Sequence, residues 1–276
     1  MKLDILFFYQ SGNATALIKS AKTNLLQKKG LNDLILGTFP NIEQVGFTNF
    51  DPLNLELEMA GGEFCGNATR STAWQVLKGE PGDITIKVSG VENKLRAGVT
   101  SDGEAYAEMP VYADPSKIRI DTDNPGNYYV EMEGITHYVD FNPTKIKGFT
   151  DAELEEEARS SLKEKNLMEG PAAGIIYTER QPDGLKITPV VYVRDIDTLF
   201  VETACGSGTA AVGLALAKET GNDVIEVPII QPTGVPINVS VNYNGQKFGY
   251  TQISGLVKQI GQASLSIRKD NYCNAF

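Results

Sequence analysis

Two short segments of this chain carry a cysteine in nearly the same surroundings. The first reads Gly61-Gly62-Glu63-Phe64-Cys65-Gly66-Asn67-Ala68-Thr69, the second Val201-Glu202-Thr203-Ala204-Cys205-Gly206-Ser207-Gly208-Thr209. In both, glycine follows the cysteine, a small polar residue comes next, and threonine stands four places on. A pair of equivalent thiols, one from each half of a chain, is suited to work on the two faces of one carbon atom: one thiolate removes a proton and the opposed thiol delivers another.

The likeness extends past the motifs. A helix-like run follows each cysteine, Thr69 to Leu77 and Thr209 to Lys218, closed by Gly79 and Gly221. Asp83 and Asp223 each lie 18 residues past their cysteine, and each opens a strand-like stretch. Both units therefore read as cysteine, helix, turn, strand, turn, and their spacing fits two related domains of ordinary size. Each cysteine is expected at the start of a helix, where first-turn N–H groups lack intrahelical partners and carry partial positive charge. Both effects favour thiolate, so the thiol pKa values are expected to fall. The N–H groups of Gly66, Asn67, Gly206 and Ser207 would seat a substrate carboxylate and stabilise a carbanion beside it. A single Cys-Gly step would ordinarily be a small buried hydrophobe; two at equivalent positions of a repeat favour chemistry. Cys273, near the C-terminus, has no such context and is given no role.

Composition narrows the classes. With 276 residues, 41% hydrophobic and 22% charged, the chain has the balance of an ordinary soluble protein. A formal charge of −10, with no basic patch, argues against nucleic acid. The apolar runs are too short to span a membrane and no signal-peptide pattern opens the chain, so a cytoplasmic protein is expected. Three widely separated cysteines make a poor disulfide framework, and a lone histidine, His137, offers no zinc cluster. No cofactor is expected; no lysine stands near a phosphate-cradling glycine loop, so pyridoxal phosphate is not evidently needed.

The elements that must position the cysteines are mostly short strands. Strands are expected at Leu3 to Tyr9, Leu53 to Met59 (by alternation), Ile84 to Val88, Lys94 to Val99 and Ala105 to Met109. A helix is expected over Lys22 to Leu36 with a break at Gly30, and an acidic, solvated helix near 151–165. The turn-rich Asp121 to Asn127 is the best junction between halves. Further strands lead to the second cysteine and follow it, ending near Ala263 to Ile267. The pattern is α+β with largely antiparallel sheet.

At these motifs the chain resembles the diaminopimelate epimerase fold family of cofactor-independent amino-acid racemases, whose members carry a Cys-Gly-Asn and a Cys-Gly-(Ser/Thr)-Gly motif. Ser11-Gly12-Asn13 resembles the family's Gly-Asn turn, and Gly134-Ile135-Thr136-His137 stands in place of its Gly-Asn-Pro-His segment. Diaminopimelate epimerase itself has Asp after the first Gly-Asn, where this chain has Ala14, and a Glu-Arg step before its second motif that is missing here. The likeness is greater to histidine racemases of staphylopine synthesis. It rests on Ser11-Gly12-Asn13, Glu43-Gln44-Val45-Gly46-Phe47, Gly62 to Thr69, Cys205 to Thr209 and Gln231-Pro232-Thr233-Gly234.

The resemblance implies two pseudo-symmetric domains, each a mostly antiparallel sheet or barrel wrapped around a central helix, with the active site in the cleft between them. Residues 1–120 plus about 264–276 would form the first and 121–263 the second, the last strand returning to the first. It implies racemisation of a free amino acid, histidine favoured, with Cys65 and Cys205 catalytic. Its supporting residue would be His137, placed behind Cys65; by its own position three residues before Cys205, Glu202 could orient that thiol or take its proton. A carboxylate there otherwise raises the thiol pKa. Asn13 and Glu43 would contact substrate, although Asn13 could equally serve only its turn and Glu43 could face solvent. The partner is a small amino acid, and a homodimer is left open. Diaminopimelate epimerisation, racemisation of another amino acid, and a non-catalytic binder or thiol-redox module remain the alternatives.

Overall fold

Alternating apolar residues build most of the chain into strands, and two buried helices interrupt them just after the cysteines. The computed structural model describes residues 2–19, 25–182 and 184–266; Cys273 and the end of the expected last strand lie outside them. The chain opens with β1 (Lys2–Gln10), β2 (Asn13–Lys19), α1 (Leu25–Thr38), β3 (Gln44–Thr48), β4 (Glu56–Met59) and α2 (Gly66–Leu77). Then come β5 (Gly82–Val88), β6 (Leu95–Val99), β7 (Ala105–Glu108), β8 (Ile118–Ile120), β9 (Tyr128–Met132), β10 (Ile135–Asp140) and α3 (Asp151–Glu164). It continues through β11 (Ala172–Gln181), β12 (Gly184–Val193), β13 (Thr198–Val201) and α4 (Gly206–Thr220). It closes with β14 (Val224–Ile230), β15 (Pro236–Tyr243), β16 (Phe248–Gly255) and β17 (Val257–Ser266). The fold is α+β, mostly sheet, with four α-helices among the described residues.

Strand pairing repeats itself. The ladder β1–β2–β3–β4–β5–β6–β7 alternates antiparallel and parallel at its first four steps and then runs antiparallel. The ladder β9–β10–β11–β12–β14–β15–β16 follows the same pattern. β7 pairs antiparallel with β16 and joins the two ladders. β17 pairs antiparallel with β1 along its length, from Val257 opposite Gln10 to Ser266 opposite Lys2.

α2 packs against β5, β6 and β7, and α4 against β10, β14, β15 and β16. Residues 66–73 of α2 and 206–215 of α4 are buried. Small residues suit helices enclosed in this way, because backbone and sheet side chains can approach from every side. Gly213 is one such point: a Cβ there would stand 2.6 Å from Val239 Cγ2.

Two local expectations change. α1 runs through Gly30 without a break. A mid-helix glycine costs only about 1 kcal/mol against alanine, and buried Leu31 and Ile35 hold the helix to its neighbours. The strand expected from Leu53 starts only at Glu56, since Leu53 is 86% exposed. Its N–H is drawn into a turn by Asp51 Oδ1, and Asn49 Oδ1 accepts from the N–H groups of Asp51 and Glu56. α3 is acidic and mostly exposed as expected. A Thr150–Glu153 capping box starts it, and Leu154, Ala158 and Leu162 form its buried stripe.

Candidate active site

Cys65 and Cys205 are the N-cap residues of α2 and α4. Both hold extended backbone, φ −135° and ψ 109° for Cys65, φ −123° and ψ 111° for Cys205. Each sulfur accepts from the N–H three residues on, Ala68 at 3.4 Å and Gly208 at 3.2 Å. The recurrent threonines explain themselves here. Thr69 Oγ1 donates to the Cys65 carbonyl at 2.8 Å, and Thr209 Oγ1 to the Cys205 carbonyl at 2.7 Å. The glycine after each cysteine is needed because both helix starts face Ile253. A Cβ on Gly66 would lie 2.9 Å from Ile253 Cδ1, and one on Gly206 2.6 Å from the same atom.

The two helix starts also hold each other. Asn67 Nδ2 donates to the carbonyl of Ala204 at 2.9 Å, while Asn67 Oδ1 accepts from buried Arg70 Nη2 at 2.7 Å. Gln231 Oε1 takes the N–H of Cys205 at 2.9 Å, and its Nε2 donates to Thr209 Oγ1 and the Ile229 carbonyl.

Both cysteines line one cavity, together with Gly66, Asn67, Gly206 and Ser207. Its apolar wall comes from Ile135, Ala172, Val191 and Val193, and its acidic groups are Glu63 and Glu202. An adjoining cavity shares Gln44, Glu63, Val191, Val193 and Glu202 and extends to Ile196 and Phe200.

Polar contacts connect the thiols. Cys65 Sγ donates to Gln44 Oε1 at 3.0 Å, and Gln44 Nε2 donates to Glu202 Oε1 at 2.9 Å. Glu202 in turn lies beside the Cys205 thiol, and both line the cavity. On its other side Cys205 Sγ is 3.5 Å from Ser207 Oγ, which is 2.9 Å from His137 Nε2.

The expected drop in thiol pKa is reversed. Burial pushes Cys65 up to about 12; the Ala68 N–H opposes this, and the charges of Glu202 and Glu63 add to it. Cys205 is raised well above the ordinary thiol value by burial, and then by Glu202. Desolvation of a buried anion outweighs the helix-start field when no ligand charge is present. Burial likewise lifts Glu202 to about 8, against the thiol hydrogen bond, and Glu63 to about 7. Burial lowers His137 to about 3, so its ring is neutral at physiological pH.

The family described as the histidine racemase CntK N-terminal domain matches residues 4–264. This chain belongs to the histidine racemase family. A histidine racemase of Fusobacterium nucleatum (strain ATCC 23726) is 30% identical over 243 residues, covering 84% of this chain and 87% of that one. A histidine racemase of Staphylococcus aureus (strain Mu50) is 27% identical over 264 residues, covering 91% and 92%. Among solved structures, a hydroxyproline epimerase from Agrobacterium vitis has a similar fold, with TM-score 0.64, 12% identity, and coverage of 96% of this chain and 91% of that one. A phenazine biosynthesis protein of the PhzF family from Bacillus anthracis gives TM-score 0.67 at 13% identity, covering 97% of this chain and all of that one.

Within this family frame, the residues singled out from sequence divide into three groups. Cys65, Cys205, Gly66, Asn67, Gly206, Ser207 and Glu202 meet at the cavity, although the Asn67 side chain is spent on Ala204 and Arg70. His137 stands behind Ser207 beside Cys205, not behind Cys65 as expected; β10, which carries it, packs on α4. Asn13 and Glu43 do not line the cysteine cavity. Asn13 Nδ2 donates to Glu43 Oε2 at 3.0 Å, and Glu43 also accepts from the N–H and hydroxyl of Thr203, so the pair ties β2 to the Cys205 loop. Glu43 borders only the adjoining cavity.

Sequence reading assigned no role to Gln44, Gln231 or Glu63. Gln44 and Gln231 do sit in motifs that drew attention, but their partners are supplied by distant parts of the chain. Glu63 Oε2 is buried with no hydrogen-bond partner and lies between the two cavities. Among the described residues no group of three or more His, Cys, Asp or Glu is placed to hold a metal ion. No described helix is long and apolar enough to cross a membrane.

Proposed function

We propose that this isomerase interconverts L- and D-histidine, with Cys65 and Cys205 as paired base and acid and no cofactor. The observation that carries the reading is that both cysteines cap helices opening on one cavity. The substrate carboxylate sits at the helix starts, among the N–H groups of Gly66, Asn67, Gly206 and Ser207. Its ammonium meets the unpartnered oxygen of Glu63, and its imidazole enters the adjoining cavity beside Val193, Ile196 and Phe200.

The raised thiol pKa values then make deprotonation depend on substrate. A bound ammonium brings positive charge into a cavity whose only nearby carboxylates oppose a thiolate, so the thiol becomes easier to ionise. Ionised Glu202 accepts the Cys205 proton, giving thiolate and carboxylic acid. The Cys205 thiolate takes the α-proton, and the Cys65 thiol delivers its own proton to the opposite face. Cys65 is left as thiolate, ready for the reverse reaction. The carbanion between the two steps is stabilised by the helix-start N–H groups.

The same reading takes the repeated ladders as two pseudo-symmetric domains of the diaminopimelate epimerase type, with α2 and α4 as central helices. The β1–β17 pairing supports return of the chain to the first domain, from Val257 onward. Two free thiols at the site suit a reducing cytoplasm.

Incubation with L-histidine in deuterated water tests the function: D-histidine carrying α-deuterium is expected. Turnover of diaminopimelate with no exchange at histidine would reverse the substrate assignment. Reversible Cys65–Cys205 disulfide formation with no exchange at any amino acid would favour a redox role.

A further inference from the structure

Gln44 opens β3 and touches the catalytic apparatus of both halves of the cavity. Its Oε1 accepts the Cys65 S–H at 3.0 Å, and its Nε2 donates to Glu202, which lies beside the Cys205 thiol in the same cavity. A primary amide offers an acceptor and a donor of almost the same shape. Half a revolution about its Cγ–Cδ bond exchanges them without moving the rest of the side chain.

The geometry points to Gln44 as an amide switch that serves the two protonation states of the thiol pair by turning over. This rests on the racemase reading above. In the first state Cys65 is thiol, Cys205 is thiolate and Glu202 is the acid. The Cys65 S–H donates to Gln44 Oε1, Gln44 Nε2 donates to the carbonyl oxygen of Glu202, and the Glu202 O–H donates to the Cys205 sulfur. One turnover moves the substrate's α-proton onto Cys205 and the Cys65 proton onto the opposite face of the carbon, with no proton gained or lost.

In the second state Cys65 is thiolate and Cys205 is thiol. The Gln44 amide, turned over, donates its N–H to the Cys65 sulfur, and its oxygen accepts the Glu202 O–H. Each arrangement has every donor facing an acceptor, whereas an unturned amide would set its oxygen against the Cys65 thiolate. In a buried site such a lone-pair clash disfavours the charged sulfur, so protonation by Cys65 would stall. The other ionisable groups bordering these three are Glu63 and Glu43, with Arg70 buried on α2; none of them bridges Cys65 to Glu202. Gln44 acts through Cys65 and is a positioning residue.

Gln44→Met tests this by keeping bulk and removing the amide. With L-histidine in deuterated water, initial rates of inversion and of α-deuteration with retained configuration are measured over a range of substrate concentrations. The expected result is a kcat for inversion lower by about a hundredfold, with KM changed by less than about threefold. Exchange with retention rises relative to inversion, because the carbanion returns to the Cys205 face more often than Cys65 quenches it. An unchanged kcat, a change confined to KM, or retention and inversion falling in step would each overturn the switch. Should Gln44→Met fail to fold, Gln44→Glu keeps the shape; ionised, it accepts but cannot donate to a thiolate, and the same ratio is expected to rise. Wild-type protein without histidine inversion removes the racemase reading and the switch together, while active wild type with unaffected variants removes the switch alone.

Discussion

His137 Nε2 and Ser207 Oγ are 2.9 Å apart, and Ser207 Oγ is 3.5 Å from Cys205 Sγ. The only histidine of the chain thus steadies a hydroxyl that steadies a thiol. With its pKa lowered by burial to about 3, the ring is uncharged throughout the working range and exchanges no proton there. His137→Phe is expected to lower kcat about tenfold to a hundredfold while leaving the pH limbs between 5 and 8 where they were. A pH–rate profile of both proteins checks this, and a limb that disappears in the variant would make His137 a titrating partner.

Cys65→Ser and Cys205→Ser should each reduce inversion by at least about a thousandfold. A hydroxyl at these caps is far too weak an acid to serve as the base. Chiral chromatography of the product measures the loss directly. Retention of substantial inversion by either variant would show that a single thiol suffices.

The buried carboxyl of Glu63 gives a stability test with a definite sign. Its pKa rises from 4.5 to about 7, chiefly through burial, so the folded chain holds this proton more tightly than the unfolded chain. That contribution is complete below about 4.5 and is lost as pH climbs through about 7. Glu63→Gln is therefore expected to melt a few degrees above wild type at pH 8 and with no such gain at pH 4.5. Thermal melts of the ligand-free proteins at both pH values read this out, and an equal difference at the two would show that the carboxyl is not protonated on folding.

Ile253 faces both helix starts, which makes the glycines testable together. Gly206→Ala should cost about 1–3 kcal/mol of stability through overpacking and displace the Cys205 cap. Ile253→Ala in the same chain opens the space and should restore part of the melting temperature. Absence of any recovery would mean that the strain lies elsewhere.

Much of this was legible in the sequence because it is local. A cysteine before Gly-Asn-Ala-Thr or Gly-Ser-Gly-Thr at the head of a helix-like run fixes an N-cap by short-range geometry, and period-two alternation fixes most strands. Three points were not local. The side of the cavity taken by His137 depends on β10 packing against α4, which no spacing between residues 137 and 205 encodes. The rise in thiol pKa needs the depth of burial and the convergence of Glu63 and Glu202, which arrive from different segments. Gln44 stands next to a residue that did draw notice, Glu43; both border the adjoining cavity, and only assembly reveals which of the two meets the thiols.

Each of the two cysteine sulfurs is also the atom that finishes its helix, accepting an N–H as a serine hydroxyl would. Serine is among the preferred residues for that task. On the proposed mechanism, exchanging sulfur for oxygen at both places spares the architecture and the proposed carboxylate seat and silences the reaction. A chain of this lineage is two atoms removed from an inert amino-acid carrier, and natural sequences with serine at either helix head are the place to look for one.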